Sequence, residues 1–280
     1  MSLLAVVALV AAPSKAPAPA GPWISQPFVA GKGGYAEYRI PALVVLPGSG
    51  ELLAFCEGRK FSSADMDWND IVARRSTNGG ASWLPQQLVH GESTAKHHVT
   101  IGNPSPVVVA SKPGRVVLTG TRQTSEGFRV ISEDGGKTWG AAVYQDELVA
   151  RHQHGSGAPA PAYGQNASAW TFYMPGPAAG LQLPSGRLVV GAYHGVEFNA
   201  TKQGGEAFSF TIHSDDEGEN WSWEDGHAYD VGPGAGECQV APAPNGSLIM
   251  RTRTVKHQPP ALSWSHDNGT SWSKPLCLLR

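Results

Sequence analysis

A short turn motif occurs four times in this 280-residue sequence and constrains the fold more than any other feature. Its shared pattern is S-x-[DN]-x-G-x-x-W, and turn motifs 1 to 4 span residues 76–83, 132–139, 214–221 and 265–272. In a tight turn, a short polar side chain can bond to the backbone, glycine permits a positive φ, and tryptophan can anchor the turn. Four copies in one chain indicate an array of similar structural units.

A second pattern precedes each turn motif, namely an apolar run, a glycine turn and another apolar run. The turn glycines are Gly50, Gly114, Gly186 and Gly246. The runs are rich in Val, Leu and Ile and are bounded by Pro and Gly, which is typical of β-hairpins. A third apolar run leads into each motif, at residues 71–75, 128–131, 208–213 and 261–264. The sequence therefore predicts an all-β protein. A β-propeller of four-stranded blades fits the repeat pattern best, because each small sheet packs on its neighbour and a ring protects most sheet edges.

Composition supports one domain of this kind over residues 23–280. Thirty-four Gly and 22 Pro favour many turns and few helices, and a net charge of −2 without a basic stripe argues against nucleic-acid partners. Residues 140–174 form the largest insertion between units, which we interpret as a tolerated surface loop in preference to a functional lid.

The N-terminal region predicts entry into the secretory pathway, with an extracellular or lysosomal destination. Residues 3–12 are apolar but too few to span a bilayer, so we interpret residues 1–22 as a signal peptide followed by an Ala/Pro-rich spacer, with no stable membrane span. Five N-x-[ST] sequons agree with this route, although turn chemistry alone selects Asn at three of them; they lie at Asn166, Asn199, Asn220, Asn245 and Asn268.

The three cysteines do not indicate a disulfide framework or a zinc site. Cys56 and Cys238 lie in apolar runs and are predicted to be buried thiols, and the third cysteine is Cys277.

A further set of motifs follows a fixed order along the chain. These are R-I-P at residues 39–41, E-G-R at 57–59 ahead of Asp65, N-P-S-P-V-V at 103–108, the runs at 176–183 and 186–190 that each begin with glycine, and Glu237 ahead of residues 246–253. Together with the turn motifs, this ordered set resembles the sialidases (exo-α-neuraminidases), whose turn motifs are called Asp boxes or BNR repeats. The resemblance covers about residues 23 to 280 and matches the N-terminal two-thirds of the family.

The resemblance implies retaining hydrolysis of terminal α-linked sialic acids on glycoproteins, oligosaccharides or gangliosides, with no metal or other cofactor. A sialic acid carries a carboxylate on its anomeric carbon, and planar guanidinium groups can bind such a carboxylate through two hydrogen bonds. By motif position, Arg39 and Arg253 bind this carboxylate, and Arg59 is a supporting arginine at the same pocket.

The resemblance also assigns the proton-transfer residues. Asp65 is the implied acid that protonates the leaving oxygen, with Asp67 and Asp70 as nearby rivals. Displacement of water by substrate should raise the pKa of Asp65. Sialidases use a tyrosine nucleophile, and Glu237 holds the position of the glutamate that helps to take its proton.

Other residues are weaker candidates for the pocket. Arg122 ends the second hairpin, where a structural role fits equally well, and Gln182 and Tyr193 belong to the third unit. Tyr193 and the neighbouring His194 could line the glycerol side of the sugar. Four other histidines fit solvated loop positions better than a site; they are His97, His98, His152 and His154.

The sequence departs from the family in one respect. Sialidases have six blades, whereas this chain contains four hairpin-plus-motif units, and none of its seven Tyr occupies the family's nucleophile position. We therefore expect an open array with an unfinished fifth blade, no third carboxylate-binding arginine, and weak or absent turnover. A non-catalytic Asp-box propeller that binds glycans or proteins is the alternative of a different class, and a trans-sialidase is a variant of the first interpretation.

Overall fold

The computed structural model describes residues 24–145, 172–195, 207–223, 229–230, 236–254 and 259–277. The predicted signal segment, two sequons (Asn166 and Asn199), the loop histidines His152 and His154, and most of the 140–174 insertion lie outside these residues. Within the described ranges, all regular elements are β-strands, which confirms the all-β prediction. No helix of this part of the chain is long and apolar enough to cross a bilayer.

The strands form four antiparallel sheets, each built from a consecutive stretch of chain. Sheet 1 contains β1 (Glu37–Val45), β2 (Leu52–Arg59), β3 (Asn69–Ser76) and β4 (Gln87–His90). Sheet 2 contains β5 (Ile101–Val108), β6 (Val116–Arg122), β7 (Glu126–Ser132) and β8 (Val143–Tyr144). Sheet 3 contains β9 (Phe172–Pro175), β10 (Leu181–Gln182), β11 (Leu188–Gly195), β12 (Ala207–Ser214) and β13 (Tyr229–Asp230). Sheet 4 contains β14 (Cys238–Pro242), β15 (Leu248–Thr252), β16 (Ala261–Ser265) and β17 (Leu276–Cys277).

Sheet 3 has five strands where the sequence predicted four. Both β9 and β10 pair with β11. The last four residues of β11 pair with β9, and the first two residues of β11 pair with β10. The first strand of this sheet is thus divided into two pieces on one edge of β11, and the sheet remains four strands wide. The division falls at residues 176–180, where Gly176 and Ala178 both have positive φ values of 73° and 87°.

Three hydrophobic clusters join the sheets in sequence order. The first lies between sheets 1 and 2 and includes Phe55 and Phe128; the second lies between sheets 2 and 3 and includes Val117 and Phe210. The third lies between sheets 3 and 4 around Met250. No such cluster among the described residues joins sheet 4 to sheet 1, so these residues form no closed ring.

Each turn motif lies between the third and fourth strands of a sheet, and the same set of hydrogen bonds stabilises all four turns. In motif 2, the Ser132 hydroxyl donates to Asp134 Oδ1 at 2.8 Å and accepts the Gly136 N–H at 2.8 Å. Asp134 Oδ1 also accepts the backbone N–H of Thr138 at 2.9 Å. Motif 1 makes equivalent bonds with Asn78 in place of the aspartate. The short polar side chains thus accept hydrogen bonds from the backbone N–H groups of the turn, as predicted.

The turn motifs also attach each sheet to the preceding one. Gly136 has φ +75°, and a Cβ there would lie 2.6 Å from Leu53 Cδ1 of sheet 1. Gly218 approaches Val117 of sheet 2 in the same way. Trp139 and Trp272 pack against the first and third clusters, and Trp221 is part of the second. Glycine and tryptophan are therefore required by contacts between sheets as well as by the turn itself.

Two predictions made from the sequence can be compared with the described residues. Cys56 and Cys238 are free, buried thiols, as predicted, and burial raises the pKa of each to about 12. The start of a fifth unit is not found, because β17 pairs with β16 and is the outer strand of sheet 4.

Candidate active site

Most of the predicted site residues lie at the sheet ends opposite the turn motifs. Arg39 lies near the start of β1 and pairs in register with Glu57 near the end of β2. Glu237 precedes β14 and Arg253 follows β15, and the Arg253 N–H donates to the Glu237 carbonyl at 2.8 Å. Antiparallel pairing brings these distant sequence positions to one end of the molecule.

Two of the strands at this end are bulged. The register of β1 shifts between Arg39 and Ala42, where Ile40 has φ +55°, and that of β5 shifts between Gly102 and Ser105, where Asn103 has φ +53°. A positive φ is unusual for a residue other than glycine, and most of all for a β-branched one. Bulges of this kind redirect side chains beside functional sites.

A cavity of about 710 Å³ opens at this end of the molecule. Sheet 1 contributes Arg39, the connection between β9 and β10 contributes Ala178, and sheet 4 contributes Glu237, Arg251 and Arg253. The structure thus brings Arg39, Glu237 and Arg253 to one cavity. Three guanidinium groups against one carboxylate favour the binding of an anion.

Arg59 is buried and does not line this cavity. Its Nε and Nη2 donate to Glu57 Oε2 at 3.0 and 2.7 Å, and its Nη1 donates to Asp65 Oδ1 at 2.8 Å and to the Ser63 carbonyl. With four hydrogen bonds to its own segment and a side chain only 3% exposed, Arg59 supports the segment that carries Asp65 and is not presented to the cavity.

Glu57 completes this buried arrangement. Its Oε1 accepts the Asn103 N–H at 2.8 Å, and a Cβ at Gly102 would lie only 2.5 Å from the same oxygen. Burial raises the pKa of Glu57, and the hydrogen bonds from Asn103 and Arg59 oppose part of this rise.

Asp65 is the most accessible of the three candidate acids. Its side chain is 81% exposed, and its Oδ1 lies 3.8 Å from Arg39 Nη1. Asp70 is buried and accepts hydrogen bonds from Tyr35 and Trp68, and burial raises its pKa. Asp67 Oδ1 accepts the Trp68 N–H at 2.8 Å and lies 2.7 Å from His98 Nδ1. Both rivals therefore hold local structure, whereas Asp65 faces solvent beside Arg39.

Glu237 and Arg253 form an ion pair at the cavity wall, with Glu237 Oε2 2.8 Å from Arg253 Nη1. Tyr193 lies behind them: it is buried, its hydroxyl donates to Met174 Sδ at 3.3 Å, and burial raises its pKa. A Cβ at Gly236 would lie 2.9 Å from the Tyr193 ring, so this ring packs directly against the chain leading into Glu237.

Arg122 and Gln182 are not among the residues that line the cavity. Arg122 is paired with Glu92 at 2.8 Å and with Glu126 at 2.5 Å. The Gln182 amide donates to the Ser111 hydroxyl and to the Gly186 carbonyl, at 3.0 Å each. Gln182 lies at the hairpin turn of sheet 3, away from the strand ends that form the cavity.

Three residues near the site were not singled out by sequence reasoning. Glu57 anchors Arg59, Asn103 connects Glu57 to the Pro175 carbonyl, and Arg251 lines the cavity. A signal existed for Arg251, because residues two apart in a strand share a face, and Arg251 stands two positions before Arg253.

Comparisons with known proteins identify a family and a fold for this chain. The family described as BNR repeat-like domain matches residues 50–278. Sialidase-3 of Mus musculus is 33% identical over 263 residues, covering 85% of this chain and 58% of that protein. A Hadza microbial sialidase of known structure superposes with a TM-score of 0.70 at 22% identity, covering 88% of this chain and 47% of the other. Trypanosoma rangeli sialidase in complex with sialic acid gives a TM-score of 0.64 at 19% identity, with 85% and 37% covered. These solved structures share a propeller-type fold with this chain, and the chain spans little more than half the length of mouse Sialidase-3.

Proposed function

The chain belongs to the BNR repeat-like domain family, and on this premise we propose that it is a sialidase-type glycoside hydrolase acting on terminal α-linked sialic acids. One observation carries the proposal: Arg39, Arg253 and Glu237 line one cavity, and Asp65 lies 3.8 Å from Arg39. Similarity to proteins named sialidases supports the same activity.

Anion binding is the first role in this proposal. The side chains of Arg39 and Arg253 are 50% and 68% exposed, so their guanidinium groups are accessible to a ligand. We assign the sialic acid carboxylate to these two residues, with Arg251 adding positive charge to the same wall. Charge-assisted hydrogen bonds from planar guanidinium groups favour such a planar carboxylate.

Proton transfer is the second role. In the proposed reaction, Asp65 protonates the leaving oxygen as the glycosidic bond breaks, and Arg59 holds the Asp65 carboxyl group in place. In sialidases, a retaining mechanism passes through a covalent intermediate on tyrosine. Because no tyrosine of this sequence matches the nucleophile position, we propose that these 280 residues bind the sugar but turn it over weakly or not at all.

The proposed substrates are sialylated glycoproteins, oligosaccharides or gangliosides, met along the secretory route that residues 1–22 suggest. A non-catalytic array is the less favoured alternative. The turn motifs would serve either function, but a scaffold has no need for arginine side chains around a cavity beside an exposed aspartate.

Release of a fluorescent aglycone from an α-sialoside, together with binding of sialic acid by calorimetry, tests this proposal. We expect sialic acid to bind and any release to be slow, lost in Asp65→Ala and kept in Asp215→Asn. Asp215 is a suitable control because it pairs with Arg187 on another sheet. A folded protein that neither binds sialic acid nor releases the aglycone would overturn the proposal.

A further inference from the structure

A partly exposed aromatic cluster includes two rings of the segment that carries Asp65. The rim cluster, as we call it, consists of Phe61, Trp68 and His98, with ring centroids 6.1 Å (Phe61–Trp68), 5.3 Å (Phe61–His98) and 5.6 Å (Trp68–His98) apart. Phe61 is 55% exposed, and Met66, adjacent to Asp65, is 52% exposed. Phe61 and Met66 are not among the described residues that line the cavity, and both belong to the connection between β2 and β3 that also carries the proposed proton donor.

Hydrogen bonds hold the rim cluster in place without a ligand. Trp68 Nε1 donates to Asp70 Oδ2 at 2.9 Å, and His98 Nδ1 lies 2.7 Å from Asp67 Oδ1. The Asp67 N–H donates to Thr100 Oγ1, whose hydroxyl donates back to the Asp67 carbonyl, both at 2.9 Å. A binding surface that is already ordered loses less conformational entropy when a ligand arrives.

The position of Asp65 determines which part of a substrate would meet this surface. A proton donor must lie within hydrogen-bond reach of the oxygen that it protonates. The leaving sugar is attached to that oxygen, and it therefore lies alongside the segment that carries Asp65, Phe61 and Met66.

The size and chemistry of the surface fit one sugar ring. A pyranose has a face of C–H groups that can pack on an aromatic ring, while its hydroxyl groups remain in water. Phe61 and Met66 offer one ring and one thioether, whereas a stable protein interface buries on the order of 1,000 Å² or more. Ligand-binding sites are typically lined by aromatic and apolar side chains together with a few polar groups.

We propose that Phe61 and Met66 bind the leaving sugar of the substrate, so that this chain prefers sialyl oligosaccharides to simple alkyl sialosides. The inference rests on the proposed function, because it takes Asp65 as the proton donor. It adds a second contact region and a substrate preference to the cavity already described.

Binding of two sulfur-linked sialosides, which resist hydrolysis, tests this preference in the full chain. One ligand is the methyl α-thioglycoside of sialic acid, and the other carries lactose in place of methyl. Calorimetry should show the lactoside binding roughly five-fold more tightly, as expected for one aromatic contact. Phe61→Ala and Met66→Ala should each reduce this ratio toward one without changing the affinity for the methyl ligand. Phe61→Tyr should preserve the ratio.

Leu84→Ala provides a matched control, because Leu84 is also an exposed apolar residue in a connection between strands of sheet 1 but follows turn motif 1 at the opposite end. A wild type that binds both ligands equally overturns this inference and leaves the proposed function standing. A ratio unchanged in both alanine variants does the same. A wild type that binds neither ligand overturns both proposals.

Discussion

The buried pair of Glu57 and Arg59 illustrates how single residues support the candidate site. Both side chains are at most 5% exposed, and Arg59 connects Glu57 to the otherwise solvent-facing Asp65. Removing one partner of a buried ion pair leaves the other charge without compensation, which costs more than removing both partners together. The pair therefore links the stability of sheet 1 to the position of the proposed acid.

Substitution of Arg59 by methionine tests this role. We expect Arg59→Met to lower the free energy of unfolding by about 3–5 kcal/mol, because Glu57 is left as an unpaired buried carboxylate. The double variant Glu57→Gln/Arg59→Met should recover part of this loss. Urea denaturation measures both, with Arg39→Met as the control, since Arg39 is half exposed and should cost about 1 kcal/mol or less. Equal losses in the single and double Arg59 variants would contradict this account.

The roles of individual residues were only partly accessible from the sequence. Motif position placed Arg59 at the pocket, but its contacts with Ser63 and Asp65 depend on how the connection between β2 and β3 folds back over the strand end. Arg122 is engaged by Glu92, 30 residues away in the chain, and no local pattern reveals that contact. Cys56 and Cys238 were predictable, because burial follows directly from their apolar runs.

At the scale of structural elements, the aspartates of turn motifs 2 to 4 all have lowered pKa values. Hydrogen bonds from Thr138, Ser132 and Lys137 outweigh the opposing effect of burial and lower the pKa of Asp134 to about 2. The pKa values of Asp216 and Asp267 in motifs 3 and 4 are also lowered. A carboxylate whose pKa is lower in the folded state stabilises the fold above its unfolded pKa, near 4, and loses this effect as the pH falls toward 2.

The lowered pKa of Asp134 in the folded state predicts how the stability of Asp134→Asn depends on pH. The variant should be less stable than wild type above about pH 4, and the difference should shrink toward pH 2 as Asp134 becomes protonated in the wild type. Motif 1 offers the reverse change: Asn78→Asp should add a pH-dependent contribution in the same range. Urea midpoints measured from pH 5 down to pH 2 would show both trends. A deficit of Asp134→Asn that stays constant with pH would rule out the lowered pKa.

The connection between β2 and β3 makes a second prediction about elements. Thr100 holds Asp67 through two hydrogen bonds, so Thr100→Val should loosen residues 60–68. Amide hydrogen exchange in that segment should speed up by roughly ten-fold, the equivalent of about 1.4 kcal/mol. Thr138→Val, in turn motif 2, is the control and should leave this segment unchanged. Unaltered exchange at residues 60–68 in Thr100→Val would show that the two bonds do not restrain the segment.

Elements were the most predictable part of this protein. The hairpins and turn motifs were found from sequence because glycine, short polar residues and apolar runs act locally. Gly50, Gly114, Gly186 and Gly246 all have positive φ values, as their turns require. The division of the first strand of sheet 3 was not predictable, since it depends on how residues 176–180 fit between sheets 2 and 4.

For the whole molecule, the central feature is that separate sheets combine to form one cavity. Clusters between consecutive sheets set their relative positions, and Arg39 from sheet 1 thereby meets Glu237 and Arg253 from sheet 4. Motif order predicted these residues but not the cavity, because its shape comes from packing between sheets. The spacing of Arg251 from Arg253 indicated a shared strand face, but that this face lines the cavity is known only from the structure.

The most direct test compares two ligands that differ only in charge: the methyl α-thioglycoside of sialic acid and its carboxamide. We expect the carboxylate form to bind the wild type at least about ten-fold more tightly, and Arg39→Met/Arg253→Met to remove that preference, because each guanidinium contact to a charged group contributes about 1.5–3 kcal/mol. Lys137→Met, which removes a positive charge at the opposite end, should keep it. Equal binding of both ligands by the wild type, or an undiminished preference in the double arginine variant, would contradict the assignment of this cavity to a sialic acid carboxylate.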